Sequence, residues 1–161
     1  VGRKSEYRSA TGYLCKGDSF LDMNFVTNEW GKKVSSNMDA SGVLLDNSTK
    51  VYRGTIDFKE GAKGASGFEK EDTLLFSPSI INKSVPLILC HEEDVEGDHG
   101  ATIGRIDEKL LFYIKSRGID EKAAKQLMTE AYINAVTEQI GDDETEGKVI
   151  KYVSEVFNDE Q

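Results

Sequence analysis

Glycine returns every few residues through the first hundred positions of this chain, and each return closes a short run with period-two or β-branched character. The densest case is KEGAKGASG at 59–67, where Gly61, Gly64 and Gly67 fall within seven residues. A helix crossing that segment would lose about 1 kcal/mol of propensity at each glycine, so long helices are excluded here. The runs between glycines read as short strands: Tyr13 and Cys15 against Leu14 and Lys16, then 20–26, Val43-Leu44-Leu45, and the alternating β-branched and aromatic stretch 51–58. A further strand at 72–77 stops at Pro78. Ile80-Ile81 and the apolar run 85–90 follow, the latter suiting a strand buried on both faces.

Two architectures accommodate many short strands with glycine turns. Leu44-Leu45 returns as Leu74-Leu75, 30 residues on, and GASG at 64–67 is echoed by GATIG at 100–104, 36 residues on. Irregular returns of this kind suit a β-solenoid whose rungs share a core. A β-sandwich fits the same pattern, and the residues alone leave both open.

The character changes near residue 105, which divides the chain into a β part, 1–104, and a helical part, 105–161. Asp107 is placed to cap a helix over 108–117 that carries Leu110, Leu111 and Ile114, with Lys115 and Arg117 at its negative end and Gly118 as its stop. Asp120 caps a second, with Ala124, Leu127, Met128, Ala131 and Ala135 at helical spacing. Gly141-Asp142-Asp143 breaks it, and Val149, Ile150, Val153, Val156 and Phe157 mark a third.

Charge limits the partners. The formal net charge is −9, with 13 basic against 16 acidic residues over 1–106 and 7 against 13 over 107–161. Neither part offers the basic footprint that a phosphate backbone requires, so nucleic acid is not expected as a partner, even though 116–120 could join two helices as in a DNA reader. No apolar run approaches the ~20 residues of a membrane span. Two distant cysteines, Cys15 and Cys90, point to a reducing cytoplasm rather than a disulfide scaffold. The opening VGRKSEYRS lacks both an initiator Met and a signal-peptide core, so a fragment of a longer protein is expected.

The densest polar cluster runs from His91 to His99 and holds five carboxylates. Its histidines are eight apart, without the tight pairing of closed zinc sites, and acidic runs are commonly solvated. His99, between Asp98 and Gly100, stands out at the join between strands and helices. Glu92, Glu93 and Asp94 are the acids that a polysaccharide-acting enzyme would use. There is no GxSxG, and Cys90, with apolar neighbours, reads as a core thiol.

One long string is more specific. His99-Gly100-Ala101-Thr102-Ile103-Gly104, then Leu111-Phe112-Tyr113, Ser116-Arg117-Gly118-Ile119 and Ala124-Lys125-Gln126-Leu127, with Leu74, Leu75 and Ser77 upstream, resembles the C-terminal signature of the SufB/SufD family of iron–sulfur cluster assembly scaffolds. The resemblance is convincing over about 70–140. It implies a right-handed parallel β-helix followed by a small α-helical domain, and so favours the solenoid. It implies a non-catalytic scaffold subunit that pairs through its β-helix with a SufB-type subunit or a second copy of itself. It further implies a SufC-type ABC ATPase bound through the C-terminal helices, for which Leu110, Leu111, Phe112, Tyr113 and Arg117 are the candidate contacts. His99 matches the SufD histidine held to ligate a transient iron–sulfur cluster shared with the partner, and the isolated fragment is not expected to hold one. The SufB cysteine and glutamate positions are here Glu71 and Gly100, and a cysteine common in SufD relatives is here Gly97, so the chain looks SufD-like. Glu71, Glu96 and Asp98 are candidate oxygen donors near His99. The alternatives are a structural or adaptor β-helix module and, further off, the polysaccharide-acting enzyme.

Overall fold

A computed structural model describes residues 2–158. Seven strands are followed by three helices: β1 (Glu6–Cys15), β2 (Phe20–Glu29), β3 (Ser35–Leu44), β4 (Thr49–Phe58), β5 (Ala65–Leu75), β6 (Ile81–Cys90), β7 (Val95–Arg105), α1 (Glu108–Ser116), α2 (Glu121–Thr137) and α3 (Asp143–Asn158). Odd strands form one parallel sheet in the order β1-β3-β5-β7, and even strands form a second, β2-β4-β6. Consecutive strands thus alternate between sheets while each sheet grows by one strand per turn. This is a parallel β-helix of about three turns, and the sandwich is excluded, since every pairing is parallel.

The rung length varies. Glu6 pairs with Ser35, Ser35 with Ser66, and Ala65 with Val95. The two leucine pairs do not stack as the 30-residue return suggests: Val43 pairs with Leu74 and Leu44 with Leu75. One residue of slip reverses every side chain. Leu44 and Leu75 therefore face the lumen, while Val43, Leu45 and Leu74 face outward into a separate cluster. The glycine echo at 36 residues has no counterpart in the register, which sets Gly67 beside Gly97.

The lumen holds two apolar clusters, one around Tyr13, Leu44 and Tyr52 and the other around Met38, Ile56 and Phe58. Burial there contributes roughly 25 cal/mol per Å² of apolar surface. A third cluster lies outside the solenoid, where Ile133 of α2 and Val153 and Phe157 of α3 cover Val43, Leu45 and Leu74. The helices thus fold back onto the outer face of the odd-strand sheet.

The helix signals act as the sequence indicates. Asp107 accepts from Lys109 N at 2.9 Å and Asp120 from Ala123 N at 2.8 Å, while Gly118 takes φ 88° after α1. The buried face of α2 differs from the expected one. Ala124, Thr129, Ile133 and Thr137 are buried, whereas Leu127, Ala131 and Ala135 are exposed. The cause is the underlying sheet: Ile133 sets the rotation by packing among Val43, Leu45 and Leu74, and Ser41 donates to the Tyr132 carbonyl at 3.1 Å. The segment 85–90 also differs. β6 is the edge strand of its sheet, and Val85, Leu87 and Leu89 are exposed on its outer face rather than buried on both.

Candidate functional site at the mouth of the lumen

His99 lies within β7, six residues before the strand ends at Arg105, rather than at the strand-to-helix join. Its face is fixed by register. Met38, Glu69 and His99 stand in one column across β3, β5 and β7, and the first two are buried inward. His99 therefore points inward as well. It is exposed because β7 is the last strand of its sheet, so that the ring looks onto the open mouth of the lumen.

Beneath that mouth the lumen is polar. Lys50 is 0% exposed and ion-paired with Glu71. The Glu71 carboxylate also accepts from Ser84 Oγ and from the Tyr13 hydroxyl at 3.2 Å, and Tyr13 Oη lies 2.6 Å from Thr73 Oγ1. The Lys50 ammonium sits 5.3 Å from the Tyr13 ring centroid and 5.6 Å from that of Tyr52. Burial holds the Lys50 ammonium below its ordinary range, and Glu71 offsets part of that shift. Pairing and hydrogen bonding of this kind are what make buried charges tolerable.

Glu69 is 2% exposed and more sparsely satisfied. Burial raises its carboxyl above the ordinary range; a hydrogen bond from Tyr52 and the adjacent His99 act the other way. Its Oε2 has no hydrogen-bond partner among the described residues. Gly54 on β4 provides the space for it, since a Cβ there would overlap the Glu69 carboxyl.

The remaining candidates divide by strand phase. Glu96 and Asp98 alternate with His99 and line an outer groove of the odd-strand sheet with Asn37, Ser66 and Phe68. Glu71 is inward, but one step along the strand from the His99 column and fully engaged. The carboxylate that shares His99's column is Glu69, which sequence reasoning passed over. A signal was there: Glu69, Glu71 and Thr73 alternate in phase with inward Leu75. Gly100 is on the outer phase, with open space around a built Cβ, so a side chain there would not enter the lumen. At Gly97 a Cβ would lie 2.9 Å from Ile88 Cγ2 and 3.0 Å from Phe58 Cε2, which leaves no room for a thiol without repacking.

Cys90 is exposed on the terminal rung rather than a core thiol, because nothing is stacked beyond β6 among the described residues. Cys15 is buried, and burial pushes its thiol up. Glu92, Glu93 and Asp94 occupy the turn between β6 and β7. There Glu92 accepts from Gly61 N at 3.3 Å and Asp94 pairs with Lys63 at 3.8 Å, an arrangement of corner caps rather than of acids facing across a groove. Among the described residues no group of three or more His, Cys, Asp or Glu is placed to hold a metal ion.

The helices present a second surface. Phe112 and Tyr113 on α1 are 75% and 55% exposed, Leu110 is exposed, and Arg117 lies 4.9 Å above the Tyr113 ring; Leu111 is half-buried. α1 has no buried residue, and the exposed Leu127 of α2 adds to the apolar surface. No helix among the described residues is long and apolar enough to cross a membrane.

These features define a parallel β-helix protein with an inward histidine at its open end and an apolar helical appendage. Residues 1–132 match the family described as SUF system FeS cluster assembly, SufBD core domain, and the chain belongs to that family. It is 28% identical over 119 residues to the iron–sulfur cluster assembly protein SufD of Bacillus subtilis, covering 73% of this chain and 27% of that protein. It is likewise 28% identical over 113 residues to SufD of Escherichia coli, covering 70% and 27%. An iron–sulfur cluster assembly SufBD family protein of Staphylococcus saprophyticus is 28% identical over 106 residues, covering 66% and 23%. The chain thus spans about a quarter of the length of the curated relatives it matches.

Proposed function

We propose that this chain is part of a non-catalytic, cytoplasmic scaffold subunit of a SUF-type assembly complex, in which residues 1–104 pair with another β-helix and residues 105–161 engage an ABC-type ATPase. The observation that carries the reading is the inward placement of His99 on the last rung, in a chain of this family. A neutral imidazole is a common nitrogen ligand for iron. A single ring cannot hold a cluster, so the nascent cluster is cargo shared with the partner chain. The partner is a SufB-type subunit or a second copy. The free edges of β6 and β7 and the exposed Val85, Leu87 and Leu89 give such a partner both backbone groups and apolar surface to cover. Leu110, Leu111, Phe112, Tyr113 and Arg117 form the ATPase contact in this reading, and neither nucleic acid nor membrane enters it.

The test is His99→Ala in the full-length protein within its complex. Iron and acid-labile sulfide bound after reconstitution should fall sharply while the complex stays assembled. Unchanged iron and sulfide would remove His99 from the mechanism.

A further inference from the structure

Glu69 is held inward by two elements at once. Strand alternation on β5 turns it into the lumen, and Gly54 on β4 vacates the volume that its carboxyl fills. With this placement Oε2 has no hydrogen-bond partner among the described residues. The next side chain in its column is His99, directly opposite in the β5–β7 register and on the same face, one strand spacing of about 4.8 Å away. The other neighbour in that column is Met38, which offers no N–H or O–H. Glu71 is occupied by Lys50, Ser84 and Tyr13, and Glu96 and Asp98 lie on the opposite face of β7.

A carboxylate beside an imidazole fixes which ring nitrogen carries the proton and leaves the other free to bind. We propose that Glu69 is a positioning residue for His99. Its unpartnered oxygen accepts one ring N–H, which holds the imidazole in a single tautomer and orientation with the bare nitrogen facing the mouth of the lumen. Glu69 itself stays below that mouth and does not touch the cargo. The use of the bare nitrogen rests on the ligand reading of His99, whereas the pairing rests on the register and the unpartnered oxygen alone.

Residues 1–161 hold two histidines, so nitrogen-15 histidine labelling of this chain gives two ring systems, assigned through His91→Gln. At alkaline pH, with both rings neutral, the two nitrogen signals of His99 should be widely split, as for one locked tautomer. In Glu69→Met, which keeps the bulk and removes the acceptor, they should move toward the averaged positions of a freely exchanging ring. Glu69→Gln, closest in shape, checks that packing alone does not set the splitting: its signals should also lose part of their separation. Averaged signals for His99 in the unaltered protein would overturn the proposal whether or not either variant folds. A locked ring combined with unchanged cluster content in His99→Ala would retain the pairing and remove the ligand reading; averaged signals combined with lost cluster would do the reverse.

Discussion

Gly54 and Glu69 share one volume of the lumen: the absent side chain of the glycine is where the carboxyl of the glutamate sits. Strand glycines weaken a sheet unless another group fills the space, so this one marks a required close approach. Gly54→Ala should therefore destabilise the protein by about 1–3 kcal/mol, as overpacking does, despite the better strand propensity of alanine. Urea unfolding of Gly54→Ala and of the Gly54→Ala, Glu69→Ala pair checks it. The pair should lose less than the sum of the singles, and an unchanged midpoint for Gly54→Ala would refute the steric account.

The Lys50–Glu71 pair yields a prediction of opposite form. Both side chains are buried, and the carboxylate gathers Tyr13, Thr73 and Ser84 around it. Removing one partner leaves an uncompensated charge, so Lys50→Met or Glu71→Gln should each cost about 3–5 kcal/mol. Replacing both together should recover much of that loss, since desolvation of the pair offsets most of its attraction. A double-mutant cycle by chemical denaturation measures the coupling, and strictly additive losses would show that the two groups act independently.

The helical half of the fold was legible at the level of single caps, because Asp107, Asp120 and Gly118 act through bonds only a few residues long. The strands were legible as a class but not in register. Rung lengths change from turn to turn, and a shift of one residue moves Leu45 from the lumen to the outer face. That sensitivity hid Glu69: whether it stands beside His99 or one position away depends on the offset between β5 and β7 alone. The exposure of Cys90 was hidden for another reason: it shares the phase of Ile88 and pairs with Phe58, but it stands on the terminal rung with nothing stacked beyond it among the described residues. His99 was legible as a residue and illegible as a direction.

Thiol reactivity should separate the two cysteines. Cys90 is exposed, while burial both shields Cys15 and raises its thiol above the ordinary range. The thiolate is the reactive form, so Cys90 should be modified in the native protein and Cys15 only on unfolding. One equivalent of rapid labelling, abolished by Cys90→Ser, is the expected result; rapid labelling that survives Cys90→Ser would contradict the buried lumen.

Alkaline pH should destabilise the solenoid through its buried phenols. Burial is the leading cause that pushes both Tyr13 and Tyr52 well above the ordinary phenol range, with Glu71 adding to it at Tyr13 and Glu69 at Tyr52. Groups whose folded values are raised contribute stability that is fully present below the unfolded value, about 10 for a phenol, and that is lost as pH climbs toward the folded value. Lys50, lowered by burial, acts in the opposite sense, so that one ammonium opposes two phenols. Of the six tyrosines, two should therefore ionise only together with unfolding. Phenolate absorbance followed against pH alongside circular dichroism checks this. Tyr13→Phe and Tyr52→Phe should each remove one late-titrating phenol, and ionisation of all tyrosines before any loss of β structure would count against the buried network.

The exposed face of α1 separates stability from partnership. Phe112 is largely exposed and α1 buries no residue, so Phe112→Ser should alter stability by no more than about 0.5 kcal/mol. If α1 is the ATPase contact, the same change removes a large aromatic anchor from the interface, where losses of 2 kcal/mol or more are usual for such residues. Arg117→Ala, which strips the cation from the Tyr113 ring, should weaken binding less. Calorimetric titration of the full-length protein with the ABC-type ATPase reads both variants. Intact affinity in Phe112→Ser would move the contact off α1, and a large drop in melting temperature would show that the helix is packed more tightly than its exposure implies.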